Sequence, residues 1–382
     1  MRVLLTFVGG AGHLDPLLPL ARALAGAGHT VAVAGSGNQM PRVEAAGFTA
    51  LPTSPQRPPG STGRDLSPLA TVDPHDTEVE FAENFAGKGA RRHVPAVSAH
   101  IRAWCPDIVL REETDFGSAM AAELEAVPCA TLAILAAGTL PRPVLVTPVL
   151  QAVRAEHGLP SHPAPGSLGR GPVLSPYPPG FRDPSAPLPE GTFSFRPQPV
   201  APQARGRLVY LTLGTVFNTG SGDLFERLLA GLAEVEAEVL VTVGRTISPA
   251  ELGPQPAHIR VEPYVDQAAV LPRCAMVVSH GGSGSLMGAL AHGVPSVLTP
   301  LGADQPHNAR RAAELGVAMV LDAASVQPGE VARAVTAMLT DDGVHDGAHD
   351  GAHSAAAGLK AEIDALPAVE EAVPVLERLA AP

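Results

Sequence analysis

Residues 279–308 read SHGGSGSLMGALAHGVPSVLTPLGADQPHN and have the pattern of a strand end, a glycine-rich turn, a helix and a second strand. The apolar run Met276–Ser279 predicts a buried strand that ends just before the turn. Gly281, Gly282 and Gly284 follow, and glycine allows backbone conformations and close approaches that a side chain would block. The turn is therefore suited to hold a ligand against the backbone.

A helix is predicted to begin directly after this turn. Its apolar spacing covers Leu286–His292, and Ser283 and Ser285 are the candidate caps. The first amides of such a helix and the positive end of its dipole would point into the turn, where they can hold phosphate oxygens. The next strand is predicted over Pro295–Thr299.

Asp304 and Gln305 lie just past the carboxyl end of that second strand. In an open α/β sheet, ligands bind outside the carboxyl ends of the strands. A phosphate-binding turn and a hydroxyl-binding pair on neighbouring loops together predict a phosphorylated sugar as the ligand.

The composition argues against several classes of protein. With 382 residues the chain is long enough for two domains, and its formal charge of −12 argues against a nucleic-acid surface, which needs clustered Lys and Arg. Lys88 and Lys360 are its two lysines, and neither lies in a Walker-type G-x-x-x-x-G-K-[ST] motif or near the glycine-rich turn. This excludes a Walker loop and argues against a pyridoxal-phosphate enzyme.

Three sequence features bear on location. Cys105, Cys129 and Cys274 are odd in number and outside any C-x-x-C, which favours buried thiols in a reducing cytosol over disulfides or zinc. The chain opens on the strand Val3–Val8 without a basic leader, and it has no uninterrupted apolar run of about 18 residues. We therefore expect a cytoplasmic protein with no membrane span.

Strand and helix patterns alternate along the chain, which is typical of a parallel sheet with helices on both faces. The alternation starts at Arg2–Val8, is interrupted by proline-rich sequence, and restarts at Arg207–Leu213. We predict an α/β protein with two Rossmann-like doubly wound parallel-sheet domains that face each other across a cleft. The domains cover residues 1–200 and 207–358, and a helical tail over residues 359–382 packs on the first domain.

Two stretches do not fit a regular element. Residues 52–68 are rich in Pro, Gly and Ser, and are predicted to be either a mobile substrate loop or a disordered segment. Residues 341–354 contain DGAHDGAH, with His345, His349 and His353. Histidines four residues apart can share a helical face and bind a metal, but the interleaved Gly and Asp oppose a helix, so we expect a solvated loop.

The turn after the first strand reads VGGAGHLDP and offers a candidate general base. A dinucleotide-binding fingerprint requires a third glycine where Asp15 stands, so Gly10 and Gly12 do not predict a hydride-transfer enzyme. His13 lies in this turn, and an imidazole that titrates near physiological pH is suited to take a proton. The alternative is that His13 caps the helix that begins at Pro16.

A histidine that acts as a base needs a carboxylate on its other ring nitrogen. A strand of the same domain ends in the sequence REETD at the same edge of the sheet, which supplies Glu112, Glu113 and Asp115 as candidates. Asp115 fits best as the cap of the helix that follows it. The two glutamates then remain as alternatives for the pair with the histidine.

Two further strand ends lie in the second half of the chain. Gly214 and Thr215 close one strand and either provide donors for phosphate or form an ordinary turn. Tyr264 and Val265 follow another strand and can present backbone groups to a nucleobase.

Taken together, these residues resemble the nucleotide-sugar glycosyltransferases of family 1, which have the two-domain GT-B fold. Within that family the chain is most similar to bacterial antibiotic-type enzymes that act on polyketides and related natural products. The matching segments are TLGT (212–215), YVDQ (264–267), HGGSGS (280–285), GVP (293–295) and ADQPHN (303–308).

The resemblance implies roles for these residues. His280 and the 282–285 turn would hold the pyrophosphate, Asp304 and Gln305 would bind the sugar hydroxyls, and His13 would deprotonate the acceptor. The carboxylate partner of His13 would come from the 112–115 cluster, with Glu112 and Glu113 as the first candidates. The residues implied to bind the nucleotide sugar are Gly12, Gly214, Thr215, Tyr264, Val265, His280, Gly282, Ser283, Gly284, Ser285, Asp304 and Gln305.

Two departures from the family pattern bear on the nucleotide. The family commonly has Trp where Tyr264 stands, which weakens the case for base stacking. Plant relatives that use uridine diphosphate sugars have a ribose-binding Glu where this chain has Gly288. Since a buried acceptor would favour ribose over deoxyribose, its absence permits thymidine diphosphate. We therefore predict a dTDP-linked deoxysugar as donor.

The chain has no D-x-D sequence, so we expect inverting transfer without a metal or other cofactor, to a hydrophobic acceptor such as a polyketide. O- and C-glycosylation both need a base and stay open, as does the oligomeric state, with a homodimer as one alternative. Rival interpretations are a GT-B-fold enzyme that uses UDP-sugars, either a lipid-linked sugar transferase or a sugar-nucleotide epimerase, and a non-catalytic partner of a true transferase.

Overall fold

Two parallel β-sheets, one of seven strands and one of six, organise the part of the chain that the structure describes. The computed structural model describes residues 1–56, 64–162, 168–169, 171–198, 206–214, 217–340 and 351–381. The chain divides into two units. Unit 1 comprises Met1–Pro58, His75–Pro199 and Leu366–Pro382, and unit 2 comprises Pro59–Pro74 and Val200–Ala365.

Unit 1 is built around the seven-stranded sheet. Its strands are β1 (Arg2–Thr6), β2 (Thr30–Gly35), β3 (Thr49–Pro52), β4 (Ile108–Glu112), β5 (Cys129–Leu132), β6 (Val173–Ser175) and β7 (Phe193–Ser194). Its helices are α1 (Ala11–Leu14), α2 (Leu17–Gly26), α3 (Met40–Ala45), α4 (Pro74–Phe81), α5 (Ala90–Trp104), α6 (Phe116–Leu124), α7 (Pro143–Glu156) and α14 (Val373–Ala380). A π-helical stretch, Ala82–Gly89, joins α4 to α5.

The strand order in unit 1 is β3-β2-β1-β4-β5-β6-β7, and the strands pair in parallel. Because helices cover both faces of such a sheet, its central strands are continuous aliphatic runs. Val3, Leu4 and Leu5 of β1 are accordingly buried, as are Ile108 and Val109 of β4.

Unit 2 repeats this organisation around the six-stranded sheet. Its strands are β8 (Leu208–Thr212), β9 (Glu238–Thr242), β10 (Ile259–Glu262), β11 (Cys274–Ser279), β12 (Ser296–Leu298) and β13 (Ala318–Val320). Its helices are α8 (Leu224–Leu232), α9 (Gln267–Val270), α10 (Ser283–Ala291), α11 (Gln305–Glu314), α12 (Pro328–Thr340) and α13 (Ala352–Ala365). The strand order is β10-β9-β8-β11-β12-β13, again parallel throughout.

The order of the strands reverses at one point in each sheet, between β1 and β4 in unit 1 and between β8 and β11 in unit 2. Such a switch point opens a crevice at the carboxyl ends of the strands, where ligands bind. The two parallel-sheet units confirm the predicted fold class.

Helix α10 differs from its prediction. It begins at Ser283 and not at Leu286, and Gly282 occupies its N-cap position without a side-chain cap. The expectation that Ser283 and Ser285 cap the helix is therefore wrong. Since glycine has no side chain to cover them, the first amides of α10 lack a side-chain cap.

The units also differ from the predicted domain limits. The 64–73 segment precedes α4 in the sequence but belongs to unit 2, and the tail changes unit at Leu366 and not at residue 359. His353 lies in α13, so the predicted loop ends before it, whereas His345 and His349 lie outside the described residues. No helix in the described part of the chain is long and apolar enough to cross a membrane.

Candidate active site

The turn after β1 brings His13 to the switch point of unit 1. Gly9 has a φ of +96°, and a Cβ on this residue would lie 2.9 Å from the His13 ring, so the turn needs glycine here. The imidazole stacks on Phe85 with ring centroids 5.4 Å apart, and its side chain is 21% exposed. Pro16 occupies the N-cap position of α2 and no side chain caps that helix, so the alternative role of His13 as a cap is wrong.

Glu112, at the end of β4, is buried and lies beside this histidine. Its Oε1 atom is 3.2 Å from Nδ1 of His13. The carboxylate also accepts hydrogen bonds from the backbone amides of Val8 and Thr114 and from the Thr114 hydroxyl. Because a carboxylate only accepts hydrogen bonds, Nδ1 of His13 donates to it, and the other donors hold the carboxylate in place. A histidine that a carboxylate holds in this way can take up a proton on its other ring nitrogen.

Glu113 has different partners, although it is adjacent in sequence. Its Oε2 atom accepts hydrogen bonds from the backbone amides of Ile134 and Leu135, at 2.7 and 2.9 Å. Burial raises the pKa of the Glu113 carboxyl, against the opposing effect of Arg182. The expectation that either glutamate can pair with the histidine is corrected, because the side chain of Glu113 is directed at the backbone after β5.

Asp115 caps α6, as predicted. Its carboxylate accepts hydrogen bonds from the amide and hydroxyl of Ser118 and lies 3.2 Å from Nδ1 of His93. Burial alone would raise the pKa of Asp115, but the nearby His93 and these hydrogen bonds lower it to about 2. Asp115 is therefore ionised at neutral pH and supports the start of α6.

In unit 2, His280 lies between two glycines at the switch point. A Cβ on Gly214 would lie 2.7 Å from its ring, and a Cβ on Gly282 would lie 2.6 Å from it. Burial lowers the pKa of His280 to about 4, against the opposing effects of Asp304 and of a hydrogen bond to the backbone of Thr212. The His280 imidazole is therefore neutral at physiological pH and can donate a hydrogen bond without adding a charge.

The start of α10 is held by the loop before α11. Oγ of Ser283 donates to Oδ2 of Asp304 at 2.7 Å, and the side-chain amide of Asn308 donates to both groups. Gly284 is exposed and Ser285 is half-buried, so the first turn of the helix is open to a ligand. The sequence did not single out Asn308, although it stands in the ADQPHN segment that carries part of the family resemblance.

The side chain of Gln305 makes a hydrogen bond within its own loop. It is buried, and its Oε1 atom accepts a hydrogen bond from the backbone amide of Leu301 at 2.7 Å. Its Oε1 atom thus closes the turn before α11, and the role implied for Gln305 in binding sugar hydroxyls stays a prediction. Asp304 is half-buried, and its carboxylate is shared with the start of α10.

Tyr264 and Val265 lie in the loop after β10. Tyr264 is 56% exposed, and the Arg245 guanidinium stands 4.3 Å from the centre of its ring. Val265 packs against the hydrophobic cluster that contains Tyr210. One face of the tyrosine ring thus carries a cation, and the rest is accessible.

The roles implied for Gly12 and Thr215 stay predictions. Gly12 lies in α1 and is exposed, and a Cβ added to it would meet no heavy atom within 4 Å. Thr215 lies outside the described residues. Within those residues, no group of three or more His, Cys, Asp and Glu side chains is arranged to hold a metal ion.

Comparisons with known proteins agree on one family. Residues 226–379 match the family model described as "Erythromycin biosynthesis protein CIII-like, C-terminal domain". The L-demethylnoviosyl transferase of Streptomyces niveus is 31% identical over 361 residues, which cover 90% of this chain and 91% of the relative. The chain belongs to the antibiotic-type glycosyltransferases.

One further relative and one solved structure align with this glycosyltransferase over nearly its whole length. The aclacinomycin-T 2-deoxy-L-fucose transferase of Streptomyces galilaeus is 26% identical and aligns over 100% of this chain and 96% of the relative. The glycosyltransferase SsfS6 of Streptomyces sp. SF2575, solved in complex with thymidine diphosphate, has a TM-score of 0.73 at 25% identity and covers 99% of each chain. The family and the GT-B fold predicted from the motifs are thus confirmed.

Proposed function

We propose that this glycosyltransferase moves a deoxysugar from a dTDP-sugar to a hydrophobic natural-product acceptor, with inversion and without a metal ion. The observation that carries the proposal is the pairing of His13 with the buried carboxylate of Glu112. It supplies an oriented base at the ligand edge of unit 1.

In this proposal, His13 is the general base. Because its Nδ1 donates to Glu112, the lone pair of the neutral ring is on Nε2, which takes the proton of the acceptor. The Glu112 carboxylate then stabilises the imidazolium that forms. Phe85, stacked on the ring, fixes its plane.

The diphosphate leaving group is stabilised in unit 2. The amides in the first turn of α10 have no carbonyl partner within the helix, and the positive end of its dipole lies there. A hydrogen bond from neutral His280 adds to them. Donors of this kind stabilise charge as it develops on the leaving oxygen, and no step needs a metal.

The bond changes follow from these roles. The acceptor atom forms a bond to the anomeric carbon from the face opposite the diphosphate, the bond from that carbon to the diphosphate oxygen breaks, and the acceptor proton goes to His13. The anomeric carbon passes through oxocarbenium-like charge and is inverted.

The choice of nucleotide rests on Gly288 and on the relatives. Gly288, in α10, has no side chain that could accept a hydrogen bond from a ribose hydroxyl. SsfS6 was solved with thymidine diphosphate, and the Streptomyces galilaeus relative is named for transfer of a deoxysugar. These observations favour a dTDP-deoxysugar over the UDP-sugar alternative.

Calorimetric titration of the protein with dTDP and with UDP tests the donor. We expect dTDP to bind at least as tightly as UDP, because a site without a ribose acceptor gains nothing from the additional hydroxyl. Tight selectivity for UDP would overturn this part of the proposal. Mass spectrometry of reactions that combine dTDP-deoxysugars with polyketide aglycones would identify the transferred sugar and the acceptor.

A further inference from the structure

The 64–73 segment lies between β3 and α4 in the sequence, but it packs on unit 2. Residues 64–68 belong to the 52–68 stretch, whose composition predicts a mobile substrate loop or a disordered segment. The contacts of the 64–73 segment are instead specific, and they lie next to the loop that follows β8.

Arg64 makes the strongest of these contacts. Its two terminal nitrogens donate to the two carboxylate oxygens of Glu226 in α8, and Nη2 also donates to the carbonyl oxygen of Gly222 at 2.9 Å. The Arg64 side chain is 5% exposed, and its guanidinium lies 5.8 Å from the centre of the Phe225 ring. A buried, bidentate arginine of this kind fixes the position of the groups it binds.

The rest of the segment continues along unit 2. The Asp65 amide donates to the carbonyl oxygen of Thr219 at 2.7 Å. The Ser67 carbonyl oxygen approaches so closely that a Cβ on Gly222 would lie 2.8 Å from it. Further along, Thr71 donates its hydroxyl to Asp322 at 3.0 Å. Hydrogen bonds near both ends of the 64–73 segment therefore hold it on unit 2.

The loop that receives Arg64, residues 217–222, also supports the candidate donor site. The side-chain amide of Asn218 donates to the carbonyl oxygen of Val243 at 2.7 Å. The ring of Phe217 packs on Gly302, which lies two residues before Asp304. A Cβ on Gly302 would be 3.1 Å from this ring. The same loop follows closely on Gly214, which contacts His280.

We propose that Arg64 is a positioning residue for the nucleotide donor. By holding the 217–222 loop, it fixes Gly214, which lies against His280, and the turn before Asp304, which packs on Phe217. Arg64 does not touch the reacting atoms in this account; it acts through the loop. The inference rests on the proposed function, which places the donor diphosphate at the β8–β11 switch point.

The test compares Arg64→Ala with Arg91→Ala. Arg91 is a control for the loss of an ion pair: it makes a two-pronged pair with Glu156 in unit 1, and its side chain is 43% exposed. We expect Arg64→Ala to weaken dTDP binding and to raise the donor KM by about five- to tenfold, with kcat at saturating donor and the acceptor KM close to wild type. Arg91→Ala should leave the donor KM unchanged.

Two further variants separate positioning from simple loss of stability. Arg64→Lys keeps the charge but not the bidentate geometry, so an intermediate loss of dTDP affinity is expected. The exchange Arg64→Glu with Glu226→Arg should restore part of the affinity that Arg64→Glu loses. Binding is measured well below the unfolding temperature of every variant, so that only folded protein contributes.

The outcomes distinguish the two proposals. If wild-type protein binds dTDP and Arg64→Ala binds it equally well, Arg64 has no positioning role and the inference is wrong. An equal rise of the donor KM in Arg91→Ala would contradict it too. If the wild-type protein itself does not bind dTDP, the proposed function fails, and the inference that rests on it fails as well.

Discussion

At the scale of single residues, Glu112 and Glu113 show what the sequence could and could not decide. The REETD segment supplied the right set of candidates, because acidic residues at the end of a parallel strand lie at its ligand edge. The choice between neighbours depends on which face of the sheet each side chain meets, and successive side chains point to opposite faces. Glu112 reaches His13, whereas Glu113 reaches the amides of Ile134 and Leu135.

This difference predicts opposite outcomes for two conservative changes. Glu112→Gln should lower kcat by about 10²- to 10⁴-fold, because the amide no longer stabilises the imidazolium or selects the tautomer of His13. Its affinity for dTDP should stay near wild type. Glu113→Gln is the control: its side-chain oxygen can still accept both amides, so kcat should change less than about threefold. Steady-state kinetics measures both, and equal losses would contradict the assignment.

His280 predicts a pH dependence of stability. Its pKa is lowered to about 4 from an ordinary value of 6.5, so in this window the unfolded chain binds a proton that the folded chain does not. Stability therefore falls as the pH drops from about 6.5 towards about 4, by up to about 3 kcal/mol. Urea denaturation of wild type and His280→Gln at several pH values isolates this contribution. The variant should lose less stability over the window, and identical losses would contradict the prediction.

At the scale of elements, the first turn of α10 combines a correct and an incorrect prediction. The glycine-rich turn and the helix could be predicted from the sequence, because apolar periodicity and glycine are local signals. The residue at which the helix begins could not be predicted. It depends on Asp304 and Asn308, whose side chains form hydrogen bonds with Ser283. A serine that is bonded across loops does not act as a cap.

This junction has little room for an additional carbon atom. Gly282→Ala would place a Cβ 2.6 Å from the His280 ring, so we expect weaker dTDP binding and lower stability. Gly358→Ala is the control, because Gly358 lies in α13 with no atom within 4 Å of its Cβ position. There, the alanine should stabilise the protein by about 0.5–1 kcal/mol. Calorimetry and thermal unfolding measure both, and unchanged dTDP affinity in Gly282→Ala would contradict the role given to His280.

At the scale of the whole molecule, the two parallel sheets could be predicted because each strand and helix carries its own period. That the 64–73 segment belongs to unit 2 could not be predicted. Its sequence has no period, and its position is set by contacts such as Arg64 with Glu226, which are 162 residues apart. The boundary at Leu366 could not be predicted either, because a helical pattern does not show at which residue the chain passes from one unit to the other.

The most direct test of the account is sugar transfer by wild type and His13→Ala, measured together with dTDP binding to each. Removing the base should lower kcat by about 10²- to 10⁴-fold, since the acceptor then loses its proton without assistance. The dTDP affinity should remain within about twofold of wild type, because His13 belongs to unit 1 and the proposed diphosphate contacts belong to unit 2. Unchanged transfer by His13→Ala, from a protein that binds dTDP normally, would contradict the central claim.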